Sequence, residues 1–178
     1  QKSFNEFDES FVLEDMRRKE KKKAEKRADK GKEVGITNPK IDEFIRREDG
    51  GAVIVGERQW IETRTRTNSQ GRTVTYYIYH HHDIILVSIG PDGNIEWNAR
   101  VPKEQSTTNS NFGSSYLSAV VGSSIFFIFN DHPENMLYNG DGKLKNMSYK
   151  ENYVALVEVD SDGRVFRRTL MNEGKGKN

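Results

Sequence analysis

The 178-residue sequence contains no cysteine, which excludes disulfides, thiolate metal sites and a cysteine nucleophile. No apolar run approaches the roughly 18 residues of a membrane-spanning helix, and the N-terminus lacks the apolar stretch typical of a signal peptide. With 28 basic and 27 acidic residues, the formal net charge of +1 gives no electrostatic case for a dedicated nucleic-acid binder. We therefore expect neither a nucleic-acid partner nor a transmembrane segment.

The charge that is present is concentrated near the N-terminus. Residues 14–32 contain ten Lys or Arg and five Asp or Glu, a local charge of 10 − 5 = +5. Because two alanines, Ala24 and Ala28, are the only apolar residues between positions 17 and 30, a helix there has no wide apolar face to bury. We interpret residues 1–40 as a charged arm that is partly helical or disordered, and residues 173–178 as a disordered tail. Binding of this arm to an anionic surface is left open.

From residue 50 onward, the sequence is typical of short strands joined by tight turns. Runs rich in β-branched and aromatic residues predict strands at 52–57, 60–66, 72–79, 83–89, 95–101, 124–129, 153–159 and 165–170. Asn68 to Gly71, Asp92-Gly93 and Asp162-Gly163 are hairpin turn signals, because Gly readily supplies the positive φ that such turns need.

The last two turns also mark an internal repeat. Aligning Asp92-Gly93 with Asp162-Gly163 sets an offset of 70 residues and matches five apolar positions in each copy. These are Ile84, Leu86, Val87, Ile89 and Ile95, which fall on Val154, Leu156, Val157, Val159 and Val165. The repeat predicts an all-β fold of two tandem four-stranded antiparallel units, residues 41–112 and 113–172, with a long insertion at 130–152 in the second.

Four-stranded antiparallel units in tandem are the blades of β-propellers. Two blades cannot close a ring, and each would leave a sheet face exposed. We expect the units to belong to a larger β-propeller; assembly of several copies, or packing of the two sheets as a sandwich, are the alternatives.

The strings GGAVIVGE, DIILVSIGPDGNIEWNARVPK, FFIFNDHPENM and VALVEVDSDGRVFRRTLM resemble a known family, as does the opening FNEFDESF. The family consists of uncharacterised bacterial envelope proteins with β-propeller-like (WD40-like) repeats. The resemblance covers nearly the whole chain. It implies that further blades lie on either side in a longer molecule, and that the protein is exported to the cell envelope, periplasmic or secreted. It implies no catalytic residues.

His80, His81, His82 and Asp83 form the most conspicuous cluster of chemically active side chains. Side chains alternate along a strand, so His80 and His82 should share a face. Two imidazoles and the Asp83 carboxylate could hold a divalent metal, and a metal-dependent hydrolase is one alternative function. The other interpretation of the run is a polar bend with exposed histidines.

A second group of candidates lies on the two strands joined by the turn at residues 68–71. The aromatic members should stack across the hairpin or form a binding surface, and the arginines would suit an acidic partner. The candidate ligand-binding residues are Trp60, Arg64, Arg66, Tyr76, Tyr77 and Tyr79.

No recognised catalytic or nucleotide-binding motif occurs in the chain. We therefore expect a non-catalytic structural or interaction module, without a cofactor, that binds a protein or polymer through loops and the aromatic hairpin.

Overall fold

The computed structural model describes residues 39–140 and 142–172, where nearly all regular structure is β-strand. The strands are β1 (Pro39–Arg46), β2 (Ala52–Thr67), β3 (Thr73–Ile89), β4 (Ile95–Val101), β5 (Gln105–Thr108), β6 (Leu117–Val121), β7 (Ser124–Asp131), β8 (Tyr153–Val159) and β9 (Val165–Asn172). The prediction of an all-β fold is confirmed. Within the described residues, no helix is long and apolar enough to cross a bilayer. The predicted charged arm up to residue 38 and the tail at 173–178 lie outside the described residues.

The first sheet contains five strands, not the four predicted from the repeat. Its strands follow the order β1-β2-β3-β4, and β5 pairs with the part of β3 between Ile78 and His81. The β5 sequence Gln105–Thr108 contains no large apolar residue, so no hydrophobic periodicity marks it as a strand. β4 and β5 together thus line one edge of the long strand β3.

The predicted breaks in the first repeat are wrong, because β2 and β3 each run through them as single strands of 16 and 17 residues. Glu57 pairs with Ile84, whereas Gln59 pairs with His81. The chain therefore advances two residues along β2 and three along β3, which is the signature of a β-bulge. The bulge accommodates the extra residue, and the hairpin continues without interruption to the pair Thr67 and Thr73.

The second sheet has the strand order β6-β7-β8-β9. The insertion between β7 and β8 contains a 3-10 helix, Pro133–Leu137, which begins where His132 Nδ1 accepts the Glu134 N–H. Buried Asn135 fastens the insertion to the sheet, because its amide donates to Asp131 Oδ1 at 2.7 Å and to the Lys145 carbonyl at 2.8 Å.

The two sheets share the hairpin geometry that the repeat predicts. Ile89 pairs with Ile95 and Val159 pairs with Val165, at positions 70 residues apart. The intervening turns place Gly93 at φ 84° and Gly163 at φ 78°, where a glycine avoids the Cβ penalty.

The hydrophobic core lies between the two sheets. Strands β7 and β8 bury alternate side chains, as a pleated strand with one buried face should, whereas β3 buries every residue from His81 to Ser88. The first sheet contributes Val53, Val55, Ile84, Leu86, Ala99 and Val101, and the second contributes Ile125, Phe127, Phe129, Tyr153, Ala155, Val157 and Val159.

Candidate functional site

The distal part of the β2–β3 hairpin, residues 61–79, forms an exposed ribbon that we call the hairpin arm, and it is two-stranded beyond the point where β5 pairs with Ile78 and Tyr79. Its turn is built by Asn68, whose Oδ1 accepts the backbone N–H groups of Gln70 and Arg72, and by Gly71 at φ 75°. Thr67 and Thr73, the last pair before the turn, join their hydroxyl groups at 3.0 Å. These local bonds explain how a ribbon with few tertiary contacts keeps its register.

The period of two along each strand divides the predicted ligand-binding residues between the two faces of the hairpin. Trp60 pairs with His80 and Arg64 pairs with Tyr76, so these side chains, with that of Arg66, lie on one face. The opposite face carries Tyr77 and Tyr79, with Ile61 and a set of threonines. The cross-strand pairs on that face are Ile61 with Tyr79, Thr63 with Tyr77, Thr65 with Thr75 and Thr67 with Thr73.

On the face of the arm that carries Arg64 and Arg66, a carboxylate neutralises part of the positive charge. Arg64 binds Glu62 through both carboxylate oxygens, at 2.7 and 3.1 Å. The hydrogen bonds from Arg64 lower the pKa of Glu62, and those to Glu62 raise the pKa of Arg64. Arg66 and Arg72 are exposed on the same ribbon.

At the base of the arm, Trp60, His80 and His82 form a compact ring cluster. The rings of Trp60 and His80 stack at a centroid distance of 4.4 Å and an angle of 12°. The His82 ring lies 4.5 Å from that of Trp60 and 5.7 Å from that of His80. His80 also contacts the Ser106 hydroxyl at 2.8 Å and Glu62 at 3.3 Å.

The proposed ligands His80, His82 and Asp83 lie near one another but have other partners. The guanidinium of Arg58 lies 3.3 Å from His82 Nδ1 and 3.6 Å from an oxygen of Asp83. The other Asp83 oxygen accepts the Lys103 backbone N–H at 3.0 Å. Among residues 39–140 and 142–172, no group of three or more His, Asp or Glu side chains is placed to hold a metal ion.

The alternative of a polar bend with exposed histidines is wrong. His81 and His82 lie inside β3, and their exposed fractions are 8% and 0%. The bulge places Asp83 and His82 beside the single residue Arg58, which explains how consecutive side chains come to share a partner.

A second cluster, which the sequence does not reveal, is centred on the fully buried carboxylate of Glu57. Buried Lys103 donates to Glu57 Oε1 at 2.6 Å, to the His81 carbonyl at 3.1 Å and to Gln105 Oε1 at 3.1 Å. Glu57 Oε2 lies 2.8 Å from His81 Nδ1 and accepts the Ser115 hydroxyl at 3.0 Å. All three ammonium protons of Lys103 thus have acceptors, and the cluster is an internal structural network.

Polar contacts also fasten the two sheets together beyond the apolar core. Arg167 of β9 forms an ion pair with buried Asp131 and donates to the carbonyl of Pro102, which follows β4. The Gln105 side chain donates to the Asn130 carbonyl in β7 at 2.7 Å. Specific hydrogen bonds therefore fix how one sheet lies on the other.

The side of the second sheet that faces away from the core is also rich in apolar residues, and we call it the outer face. Leu117, Val121, Phe166 and Leu170 are 72%, 63%, 44% and 49% exposed there. Further apolar members are the half-buried Phe126, Ile128, Val154 and Leu156. Glu158 and Arg168 form an ion pair among them at 3.6 Å. Large exposed apolar patches on proteins commonly mark interaction surfaces.

A cleft of about 580 Å³ opens between the sheets at the end where their turns meet. Trp97, Val53 and Ile125 line it together with the turn residues around Asp49 and Asp160. Its volume is in the range of small-molecule sites. Three of the charged groups there already have partners in the protein, since Arg47 pairs with Asp49 and Asp160 pairs with Arg164. We therefore assign no ligand to it.

No protein-family model matches the chain, and neither the curated proteins nor the solved structures include a significant match.

Proposed function

We propose that this chain is a non-catalytic structural and interaction module whose sheets pack as consecutive blade-like units of a larger propeller-like assembly. The hairpin arm is the element that binds a partner protein. The observation that carries the first part is the relation between the core of the first sheet and the outer face of the second.

Equivalent positions of the two sheets follow from the pairing registers. Val53, Ser88 and Trp97 lie in one row across the first sheet, and Phe126, Glu158 and Phe166 lie in the matching row of the second. In the next row, Val55, Leu86 and Ala99 correspond to Ile128, Leu156 and Arg168. Val53 and Val55 belong to the core, whereas their counterparts Phe126 and Ile128 lie on the outer face.

We call the front of each sheet the face that carries Val53 in the first sheet and Phe126 in the second, and the back the opposite face. The front of the first sheet therefore packs against the back of the second. A front-to-back contact leaves a free front on the last sheet, which a further sheet can cover in the same way. The free front here is the outer face, where Phe126, Ile128 and Leu156 keep the apolar character of Val53, Val55 and Leu86. The back of the first sheet is apolar as well, since Ile85 and Val87 match Ala155 and Val157 of the core.

The sheet that fits the outer face is one whose apolar side resembles the core side of the second sheet. The test appends a second copy of residues 102–172 directly after residue 172, so that the added β6–β9 segment can cover the outer face. A single cysteine at Leu156 or Leu117 in this cysteine-free chain then reports burial through its rate of maleimide labelling.

We expect labelling at Leu117→Cys to slow at least about tenfold in the extended chain, and the extended chain to unfold at higher denaturant concentration. The control extension carries Phe127→Glu and Val157→Glu in the added copy only. Unchanged labelling in the extended chain, or protection that survives in the control, would show that front-to-back stacking is wrong.

The proposed role of the arm has separate support. The arm projects as an exposed ribbon with apolar, aromatic and arginine side chains, a composition suited to a protein interface. Deleting the arm by joining Ile61 to Tyr79 through a two-residue Asn-Gly turn should leave the sheets folded and remove partner binding.

A further inference from the structure

The register of the hairpin determines which backbone groups of the arm point away from the ribbon. Asn68 N–H donates to the Arg72 carbonyl at 3.0 Å, and hydrogen-bonded pairs alternate with non-hydrogen-bonded pairs along an antiparallel ladder. By this alternation, Thr63, Thr65 and Thr67 direct their N–H and C=O groups away from β3. They form a row of backbone donors and acceptors on the edge of β2.

The corresponding row on β3 is already covered near its base. Tyr77 N–H donates to Asn109 Oδ1 at 3.0 Å, and Asn109 N–H donates to the Tyr77 carbonyl at 2.8 Å. Just beyond this point, β5 pairs with β3 from Ile78 to His81.

The β2 edge of the arm is different. β1 has eight residues and joins β2 through the turn at residues 47–51. It can therefore cover the edge of β2 only along about the first eight residues of that strand. Within residues 39–140 and 142–172, no strand pairs with β2 along residues 63–67 other than β3. Among the residues that the structure describes, the open edge of the arm is therefore that of β2.

The charge and the exposed side chains of the arm indicate what this edge would bind. Residues 61–78 contain Arg64, Arg66 and Arg72 against the single acid Glu62, a net charge of 3 − 1 = +2. Arg64 and Arg66 are on β2 itself and share one face. Ile61 and Tyr77, on the opposite face, are 60% and 47% exposed.

We propose that the edge of β2 at Thr63, Thr65 and Thr67 binds an extended acidic segment of a partner protein, which adds to the arm as a third strand. Backbone hydrogen bonds to the three threonines supply the pairing. Side chains of the added strand alternate between the two faces, so acidic residues meet Arg64 and Arg66 while β-branched or aromatic residues cover the other face. This inference rests on the proposed role of the arm as the partner-binding element.

The probe is a capped seven-residue peptide that alternates Glu and Val, titrated calorimetrically into the full chain. Thr65→Pro removes one outward N–H from the β2 edge. The matched control is Thr75→Pro, since Thr75 lies directly opposite Thr65 and loses an equivalent N–H on the other edge. Proline is tolerated where a strand N–H faces outward, and circular dichroism and thermal melts check that both variants keep the fold.

We expect Thr65→Pro to weaken peptide binding about tenfold or more, and Thr75→Pro to leave it within about twofold. Arg66→Glu should weaken peptide binding and reduce the salt dependence of that binding. Arg168→Glu, on the second sheet, should change neither quantity. A peptide of the same composition with its Val and Glu residues in separate blocks should bind more weakly than the alternating one.

Equal effects of the two proline variants, or equal binding of both peptides, would overturn strand addition. If Arg66→Glu alone reduced binding, strand addition would be wrong while the arm would remain a binding surface. Absence of binding by the alternating peptide would also overturn the inference. None of these results bears on the labelling of the extended chain, which tests sheet stacking by itself.

Discussion

A side chain at Gly163 would collide with the indole of Trp97, because an ideal Cβ on Gly163 lies 2.7 Å from Trp97 Cε3. The Trp97 Nε1–H also donates to the Ser161 carbonyl at 2.8 Å. Strand β4 of the first sheet thereby contacts the turn between β8 and β9 of the second. Because the indole packs against the core, it cannot move aside freely.

Gly163→Ala should lower the free energy of unfolding by about 2–4 kcal/mol, combining the left-handed backbone penalty with overpacking. Gly93 is a matched control: it occupies the equivalent turn position at φ 84°, and nothing lies within 4 Å of its ideal Cβ. Gly93→Ala should therefore lose only about 1–2 kcal/mol. Denaturant titration measures both, and equal losses would mean that the Trp97 contact is unimportant.

The neighbours Phe126 and Phe127 test which face of the second sheet is buried. Phe127 is fully buried in the core, whereas Phe126 is half-buried on the outer face. Phe127→Ala should reduce the free energy of unfolding by about 3–5 kcal/mol, the usual loss for a core phenylalanine. Phe126→Ala should lose clearly less in the 178-residue chain, and more once the added copy of residues 102–172 covers it. Similar losses in the 178-residue chain would contradict the assignment of faces.

Removal of the Lys103 ammonium should be strongly destabilising, because it leaves the buried Glu57 charge without its cation. We expect Lys103→Met to reduce the free energy of unfolding at neutral pH by about 3–5 kcal/mol. The control Lys145→Met breaks a pair with Glu134 in which both side chains are more than half exposed, and it should change stability by about 0.5 kcal/mol at most.

The same pair sets the sign of a pH effect. Burial on its own raises the pKa of Glu57, but the hydrogen bond from His81 and the charge and hydrogen bond of Lys103 outweigh it and lower the pKa. A carboxyl whose pKa is lower in the folded state adds stability above its unfolded pKa of about 4.3, and this stability is lost as pH falls through the folded value.

In Lys103→Met the balance should reverse, because burial then dominates and raises the folded pKa of Glu57. The contribution of this carboxyl should then favour folding at low pH and fade as pH rises. Unfolding free energies measured from pH 4 to pH 7 should diverge between the two proteins. Parallel curves would show that Glu57 is not the responsible group.

The stack of Trp60 on His80 should appear as a coupling energy. A double-mutant cycle with Trp60→Ala and His80→Ala should give about 0.5–1.5 kcal/mol, the range for aromatic pairs. The control cycle pairs Trp60→Ala with His132→Ala, a histidine that caps the 3-10 helix of the insertion, and should be additive within about 0.5 kcal/mol. A coupling near zero for Trp60 and His80 would mean that the observed stack adds nothing to stability.

The strands with strong apolar character were predictable from the sequence, whereas the edge strands β1, β5 and β6 were not. Val154 to Val159 lie in β8 and Ile84 to Ile89 in β3, as their patterns indicate. β1 and β6 place several apolar side chains on the surface, with Phe44 65% and Leu117 72% exposed. Alternation at an edge strand need not match burial, so these two strands give no clear periodic signal.

The clusters at the base of the arm depend on pairings that no local pattern encodes. Lys103 lies 46 residues from Glu57 along the chain, and its burial follows only once β2 and the segment after β4 are placed in one structure. The offset of 70 residues aligned Leu86 with Leu156, but it could not tell that one is in the core and the other on the outer face. That difference arises from how whole sheets stack.

Because of the bulge beside Arg58, β3 can change in length by one residue without any change in the direction of its other side chains. In a regular strand, the loss of one residue would turn every later side chain to the opposite side. At positions 82 and 83, the loss of one residue would instead restore ordinary pairing and leave Arg64, Tyr76 and Tyr77 facing as they do now. Related chains can therefore differ in length by one residue here while presenting the same ribbon to their surroundings.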